Sequence, residues 1–291
     1  MPAEARNAPP HTDYAPVEIV PGRMDAGVLF VCDHATNTQP PGYDLGLPES
    51  EMLRHIAWDI GAADVTRALA RRFGAPAVLS NFTRLLIDPN RGGDDPTLVM
   101  RLSDGAIIPG NREADEQEIE KRKLAFWRPY RSAIGSVLDN MTDAGKQSGT
   151  VPAIVSIHSF THVWRGHLRP WQIGLLWDSD PRLSARLLAE LQCDQRLMIG
   201  DNEPYDGALV GDTMYEFGTS RGLAHTLMEL RQDLIDTPAK AAAWAGKLAD
   251  PLARALEHTD IHRIEHYASR AGQGPRGRLP GKAQSSAEPQ E

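Results

Sequence analysis

Three short apolar runs lead into residues that can hold a metal ion or move a proton. GVLFVC at 27–32 runs into Asp33, His34, Ala35, Thr36 and Asn37. AIVSI at 153–157 runs into His158 and Ser159. HTLMELR at 225–231 carries His225, Glu229 and Arg231. His55 and Asp59 lie four residues apart, on one face if the segment is helical. Two histidines and a carboxylate from separate elements make the inventory of a catalytic zinc site. Such a site takes three protein ligands and keeps one position for water. A further carboxylate can then serve as general base. A histidine after a strand can equally cap it by hydrogen bonding, and spacing alone leaves both readings open.

A second stretch, SNFTRLLIDPNR at 80–91, places Arg84, Asp88, Asn90 and Arg91 around a short apolar run. Arginines near a strand end can clamp carboxylates through two parallel hydrogen bonds. The same residues also suit a solvated, salt-bridged rim.

These residues need a scaffold, and the periodicity supplies one. Continuous apolar runs at 27–32, 76–79, 85–87, 153–157, 173–177 and 224–230 read as strands covered on both faces. Helices are expected at 49–73, 113–124, 129–141, 181–191 and 240–257, with Gly74 ending the first. Alternation of strands and helices predicts a three-layer α/β/α sandwich with a mixed, mostly parallel sheet. Ligand sites in such sheets lie beyond the carboxyl ends of the strands. Residues 1–16 read as a flexible arm. The stretch 269–291, rich in Gly, Pro, Ser and Gln, reads as a disordered tail. One catalytic domain is expected between them, over 17–268.

The 291 residues suffice for such a core, and a net charge of −8 argues against a nucleic-acid surface. Two cysteines, Cys32 and Cys193, cannot form a disulfide framework. Cys32 suits core filling better than a thiol nucleophile, which needs exposure and a base. The first residues lack the basic start and apolar core of a signal peptide. No run approaches the roughly 20 apolar residues of a membrane span. A cytoplasmic enzyme without membrane partners is the expectation, its oligomeric state open.

Seven blocks carry a family resemblance. CDHATN at 32–37, HIAWDIGA at 55–62, SNFTRLLIDPNR at 80–91 and SDGAIIPGN at 103–111 are followed by SIHSFT at 156–161, DNEPYDG at 201–207 and MELRQDLI at 228–235. In this order the chain resembles the N-formylglutamate amidohydrolase family. The resemblance implies a zinc-dependent amidohydrolase with the phosphorylase/hydrolase-like fold of zinc exopeptidases. It implies His34 and His158 as Zn2+ ligands and Asp59 as the ligand between them, with His55 as its rival. Asn37 stands where exopeptidases of the wider superfamily carry a glutamate. Glu229 is implied as general base, taking a proton from metal-activated water and passing it to the leaving amine. Arg84, Arg91 and Arg231 are implied as carboxylate contacts, with Asn90, Asn111 and Asn202 as further polar contacts. The implied small-molecule substrate is an N-acyl amino acid, N-formyl-L-glutamate first, giving formate and L-glutamate. Two alternatives stand beside it: a zinc amidase acting on a peptide or peptidoglycan amide, and a catalytically silent carboxylate-binding protein.

Four further residues have open roles. Asp33 could orient a histidine ligand or bond to backbone. His225 shares a strand face with Glu229 but suits core packing. His162 and His167, in THVWRGHLRPW at 161–171, belong to a lid or to a surface loop.

Overall fold

The structure is a computed structural model that describes residues 14–271. The expected arm and tail therefore fall outside the described residues except for 14–16 and 269–271. At those margins Tyr14 packs edge-on against Phe126, and Arg270 bonds to Asp178.

Seven strands form one sheet: β1 (Val17–Val20), β2 (Val28–Cys32), β3 (Ala77–Ser80), β4 (Ala153–Phe160), β5 (Ile173–Leu176), β6 (Ile199–Asp201) and β7 (His225–Arg231). Their order is β1-β3-β2-β4-β7-β5-β6. Pairing is parallel from β3 through β2 and β4 to β7, and again between β5 and β6. β1 on β3 and β5 on β7 are antiparallel. The expected mixed, mostly parallel sheet is therefore present. The edge strands β1 and β6, too short to register as apolar runs, extend it.

The helices are α1 (Glu49–Met52), α2 (Ala62–Phe73), α3 (Glu116–Arg122), α4 (Arg128–Gly145), α5 (Arg182–Gln192) and α6 (Pro238–Leu256). One face of the sheet packs on α2, α5 and α6. The other packs on α4 and on the buried loop residues Phe82, Leu85, Leu86 and Ile87. All residues of β2 and β4 are buried, as central strands between two layers require.

The period of two along a strand sorts the candidate residues between these layers. Val28, Phe30 and Cys32 enter the core against α2 and α6; Leu29 and Val31 enter the opposite core. In β4, Val155 and Ile157 face α2 and α6, so Ser156 and His158 face the other way. In β7, Met228 and Leu230 do the same, which turns Glu229 to the face of His158. The thiol of Cys32 is thus core-filling, and burial pushes its pKa well up.

Four expected elements differ. The segment 49–73 is not one helix. It breaks after Met52 and restarts at Ala62, because Gly61 is left-handed (φ 82°) and a Cβ there would lie 2.1 Å from the Ile235 carbonyl oxygen. Residues 85–87 form buried turns rather than a strand. A π-helical segment, Lys123–Trp127, fuses α3 to α4. Strand β4 continues to Phe160, so His158 lies within it and not past its end. β2 pairs with β4 only as far as Val31 opposite Ser156. Beyond that point the sheet opens a notch beside β4, and Asp33 and His34 leave β2 into it. No described helix is long and apolar enough to cross a membrane.

Candidate active site

His34, Asp59 and His158 are buried and meet in the notch. One ligand atom from each lies within 4.8 Å of the others. The His158 Nδ1 is 2.9 Å from Asp59 Oδ2, and its Nε2 is 2.9 Å from Asp33 Oδ2. The His34 Nδ1 is 3.3 Å from Asp59 Oδ2, and its Nε2 is 2.7 Å from Asp88 Oδ1. The two rings are perpendicular, with centroids 4.9 Å apart. Each imidazole therefore has a carboxylate behind its Nε2 and turns Nδ1 toward Asp59. This is how outer carboxylates orient histidines that bind a metal. Two imidazole nitrogens and one carboxylate oxygen are a donor set that suits Zn2+, and these residues fit it.

The carboxylates behind the rings are themselves tightly held. Asp33 accepts from His158, Ser156 Oγ (2.8 Å), Tyr130 Oη (3.0 Å) and Thr213 Oγ1 (2.5 Å). Of the two open roles for Asp33, the structure shows the orienting one. Asp88 accepts from His34 and from Arg84 Nη2 (2.7 Å). Burial opposes the charge on Asp33, Asp59 and Asp88, but their histidine and arginine partners outweigh it and hold all three below the usual carboxylate range. Burial likewise opposes a charge on His158, yet its bonds to Asp33 and Asp59 hold its pKa well above the usual value. A proton or a divalent cation on the Nδ1 side satisfies the same pair of acids.

Asp59 reaches this position because its backbone N–H donates to the His34 carbonyl at 2.9 Å, and its Oδ2 accepts from the Ser159 N–H at 3.2 Å. His55 lies elsewhere. It lines the cleft, 3.3 Å from Asp104 Oδ2 and edge-on to Trp164, outside the three-residue group. The break at Gly61 separates the two, since a continuous helix would have put them on one face.

Glu229 is the register partner of His158 on the neighbouring strand. It is 7% exposed, and its Oε2 has no hydrogen-bond partner. Burial pushes its carboxyl up to about 7. A carboxyl near neutrality beside a candidate metal site suits proton transfer in both directions.

The cleft over these residues has a volume of about 320 Å³ and takes in Arg84, Asn90 and Arg91. Arg84 is held between Asp88 and Asp59 (3.6 Å), and its Nη1 donates to His34 Nδ1 at 3.2 Å. Arg91 lines the cleft with no acid paired to its guanidinium among the described residues. The side-chain oxygen of Asn90 accepts from the Thr213 N–H at 2.9 Å. The other three expected contacts lie outside the cleft lining, because their polar groups have structural partners. Arg231 pairs with Asp233 at 2.8 Å. Asn111 bonds to the Leu85 and Met100 carbonyls and to Arg122. Asn202, at φ 52°, accepts from the N–H groups of Trp177 and Gly207. His225 packs in the core, against the Leu223 carbonyl and Thr219. His162 and His167 are exposed, the latter in a hairpin (Val163–Trp164 with His167–Leu168).

Two residues of the cleft network escaped the sequence reading. Asp88 was visible only as part of a polar rim, since its contact with His34 spans 54 residues. Asp212 lines the cleft, caps the Tyr215 N–H at 2.6 Å, and is pushed up to about 7 by burial.

Comparison with known proteins places the chain in a family. No curated protein matches the chain. Gene product Atu2144 of Agrobacterium tumefaciens has a similar structure at 34% identity and a TM-score of 0.75, covering 83% of this chain and 94% of its own. The N-formylglutamate amidohydrolase of Ralstonia eutropha JMP134 shares the fold at 18% identity and a TM-score of 0.66, covering 85% and 99%. Residues 26–236 match the family model described as N-formylglutamate amidohydrolase, a span that holds every residue of the notch and the cleft. The chain is an amidohydrolase and belongs to the N-formylglutamate amidohydrolase family.

Proposed function

We propose that the chain hydrolyses N-formyl-L-glutamate to formate and L-glutamate in the cytoplasm. The observation that carries this reading is Glu229, a buried carboxyl with one unpartnered oxygen, beside the His34–Asp59–His158 group in a cleft that also presents Arg91. His34 and His158, through Nδ1, and Asp59 would hold a Zn2+ ion. Such an ion polarises a carbonyl oxygen and brings the pKa of water in its coordination sphere toward neutrality.

Glu229 then does the proton work. It accepts a proton from the attacking water as the water oxygen bonds to the formyl carbon. It returns that proton to the amide nitrogen as the carbon–nitrogen bond breaks, so glutamate leaves as an amine and formate remains. Burial, which raises its pKa, favours the return of the proton, and its ionised form takes the proton up. Asp33 and Asp88 keep the imidazoles from rotating. Arg91 contacts a substrate carboxylate by charge-assisted hydrogen bonds. Asn90, fixed by Thr213, shapes the wall beside it. Both cysteines are unpaired, in keeping with a reducing compartment.

The test is formate release from N-formyl-L-glutamate by zinc-loaded protein, with a panel of other N-acyl amino acids alongside. Turnover with a preference for the formyl substrate is expected; no turnover on any of them overturns the reading.

A further inference from the structure

N-formyl-L-glutamate carries two carboxylates, while Arg91 is the one cleft-lining arginine without an acid partner among the described residues. We propose that Arg169 grips the side-chain carboxylate of the substrate and so selects dicarboxylic N-acyl amino acids. This inference rests on the reading of the cleft given above.

Arg169 is not part of the cleft lining itself but packs directly behind it, held by residues that do line it. Its guanidinium lies 5.7 Å from the Phe160 ring centroid and 5.1 Å from that of Tyr205, with Trp164 at 5.3 Å. Its Nη1 donates to Tyr205 Oη at 3.0 Å and, more loosely, to Thr161. Phe160, Thr161 and Tyr205 all line the cleft. Among the described residues its Nε and Nη2 have no hydrogen-bond partner and no acid pairs with it. An arginine caged by aromatic rings with one donor edge free is a preorganised receptor for a carboxylate.

The backbone is fixed as well. The Arg169 N–H donates to the His162 carbonyl at 2.8 Å, across the base of the 163–168 hairpin. Its carbonyl accepts from Arg231 Nη1 at 3.4 Å. Arg231 thus supports the residue that would bind substrate. Tyr205 and Glu229 line the same cleft, so the partner of Arg169 shares a wall with the proposed base.

The test is calorimetric titration of the full-length protein as purified with glutarate and with butyrate. Both ligands offer one carboxylate to any metal and to Arg91; only glutarate offers a second. Wild type is expected to prefer glutarate. Arg169→Gln is expected to weaken glutarate binding by about 10- to 100-fold and to change butyrate binding by less than about twofold. Arg169→Lys keeps the charge without the planar fork and is expected to recover part of the loss, which a misfolded variant does not. No glutarate preference in wild type, or equal losses for both ligands in Arg169→Gln, overturns the proposal. Absence of formate release by wild type overturns the functional reading instead, and the titration still decides the role of Arg169.

Discussion

The floor and the rim of the cleft are built in opposite ways. On the floor, Asp33, Asp59 and Asp88 are buried, and each is held by several donors, at least one of them from a distant part of the chain. At the rim, two short hairpins, Leu102–Ile107 and Val163–Leu168, stand in solvent, with Leu102 61% and Leu168 78% exposed. His55 touches both, through Asp104 and Trp164. The difference assigns the tasks. A cation needs donors fixed within fractions of an ångström, which dense buried hydrogen bonding provides. Substrate choice needs side chains that can change without disturbing that frame, which exposed loops on a rigid scaffold provide.

The sharpest break in this contrast is expected from the floor. His158→Ala and His34→Ala should each reduce bound zinc, measured by elemental analysis after dialysis, to background and abolish turnover. Zinc retained in either variant removes that residue from the ligand set. Glu229→Gln separates binding from chemistry: zinc content should stay stoichiometric while kcat falls by about 100- to 10,000-fold. Retained turnover would refute the assigned base. One layer further out, Asp33→Asn and Asp88→Asn should weaken zinc affinity by about 10- to 100-fold without eliminating it, read by competition with a chelator.

The substrate contacts above the floor should respond in KM. Arg91→Gln is expected to raise KM for N-formyl-L-glutamate by about 10- to 100-fold with kcat little changed. A loss confined to kcat would move Arg91 from the substrate to the reacting groups. The smallest effect is one of stability. Asp212 sits among Asp33, Arg91 and Arg131, and burial raises its pKa from the ordinary 3.8 to about 7. The folded state therefore holds its proton more firmly than the unfolded one. Stability declines as pH rises between those values and stays reduced above 7. Asp212→Asn removes the titration. The variant should melt several degrees above wild type at pH 8, with the gap closing toward pH 4. A gap independent of pH contradicts the assignment.

What could be read in the sequence followed what is local. The candidate groups His34, His158 and Glu229 stand out because each is polar and directly follows or interrupts an apolar run. The alternation of strand and helix was equally visible, since burial on both faces leaves an apolar signature. The helix expected over 49–73 fails for a reason that periodicity does not encode: Gly61 turns left-handed and packs against the Ile235 carbonyl 174 residues away in sequence, an approach that no side chain would allow. The arginines divide in the same way. Arg84, Arg91, Arg169 and Arg231 are alike in type and setting. Arg84 and Arg231 meet their acids close by in sequence, at Asp88 and Asp233, whereas Arg169 is held by Tyr205, 36 residues away, a contact that only the fold creates.

The close approach at Gly61 bears on how the protein assembles. All three candidate ligands are encoded by residue 158, in the first part of the chain to be synthesised. Their arrangement is not. The loop that presents Asp59 is pinned by Ile235, just past β7, and the Ser159 hydroxyl bridges the Ile60 carbonyl to Gln232. A nascent chain that stops short of β7 thus carries the candidate ligands without the brace that aligns them, and metal uptake at this group would be a late event that reports completed folding.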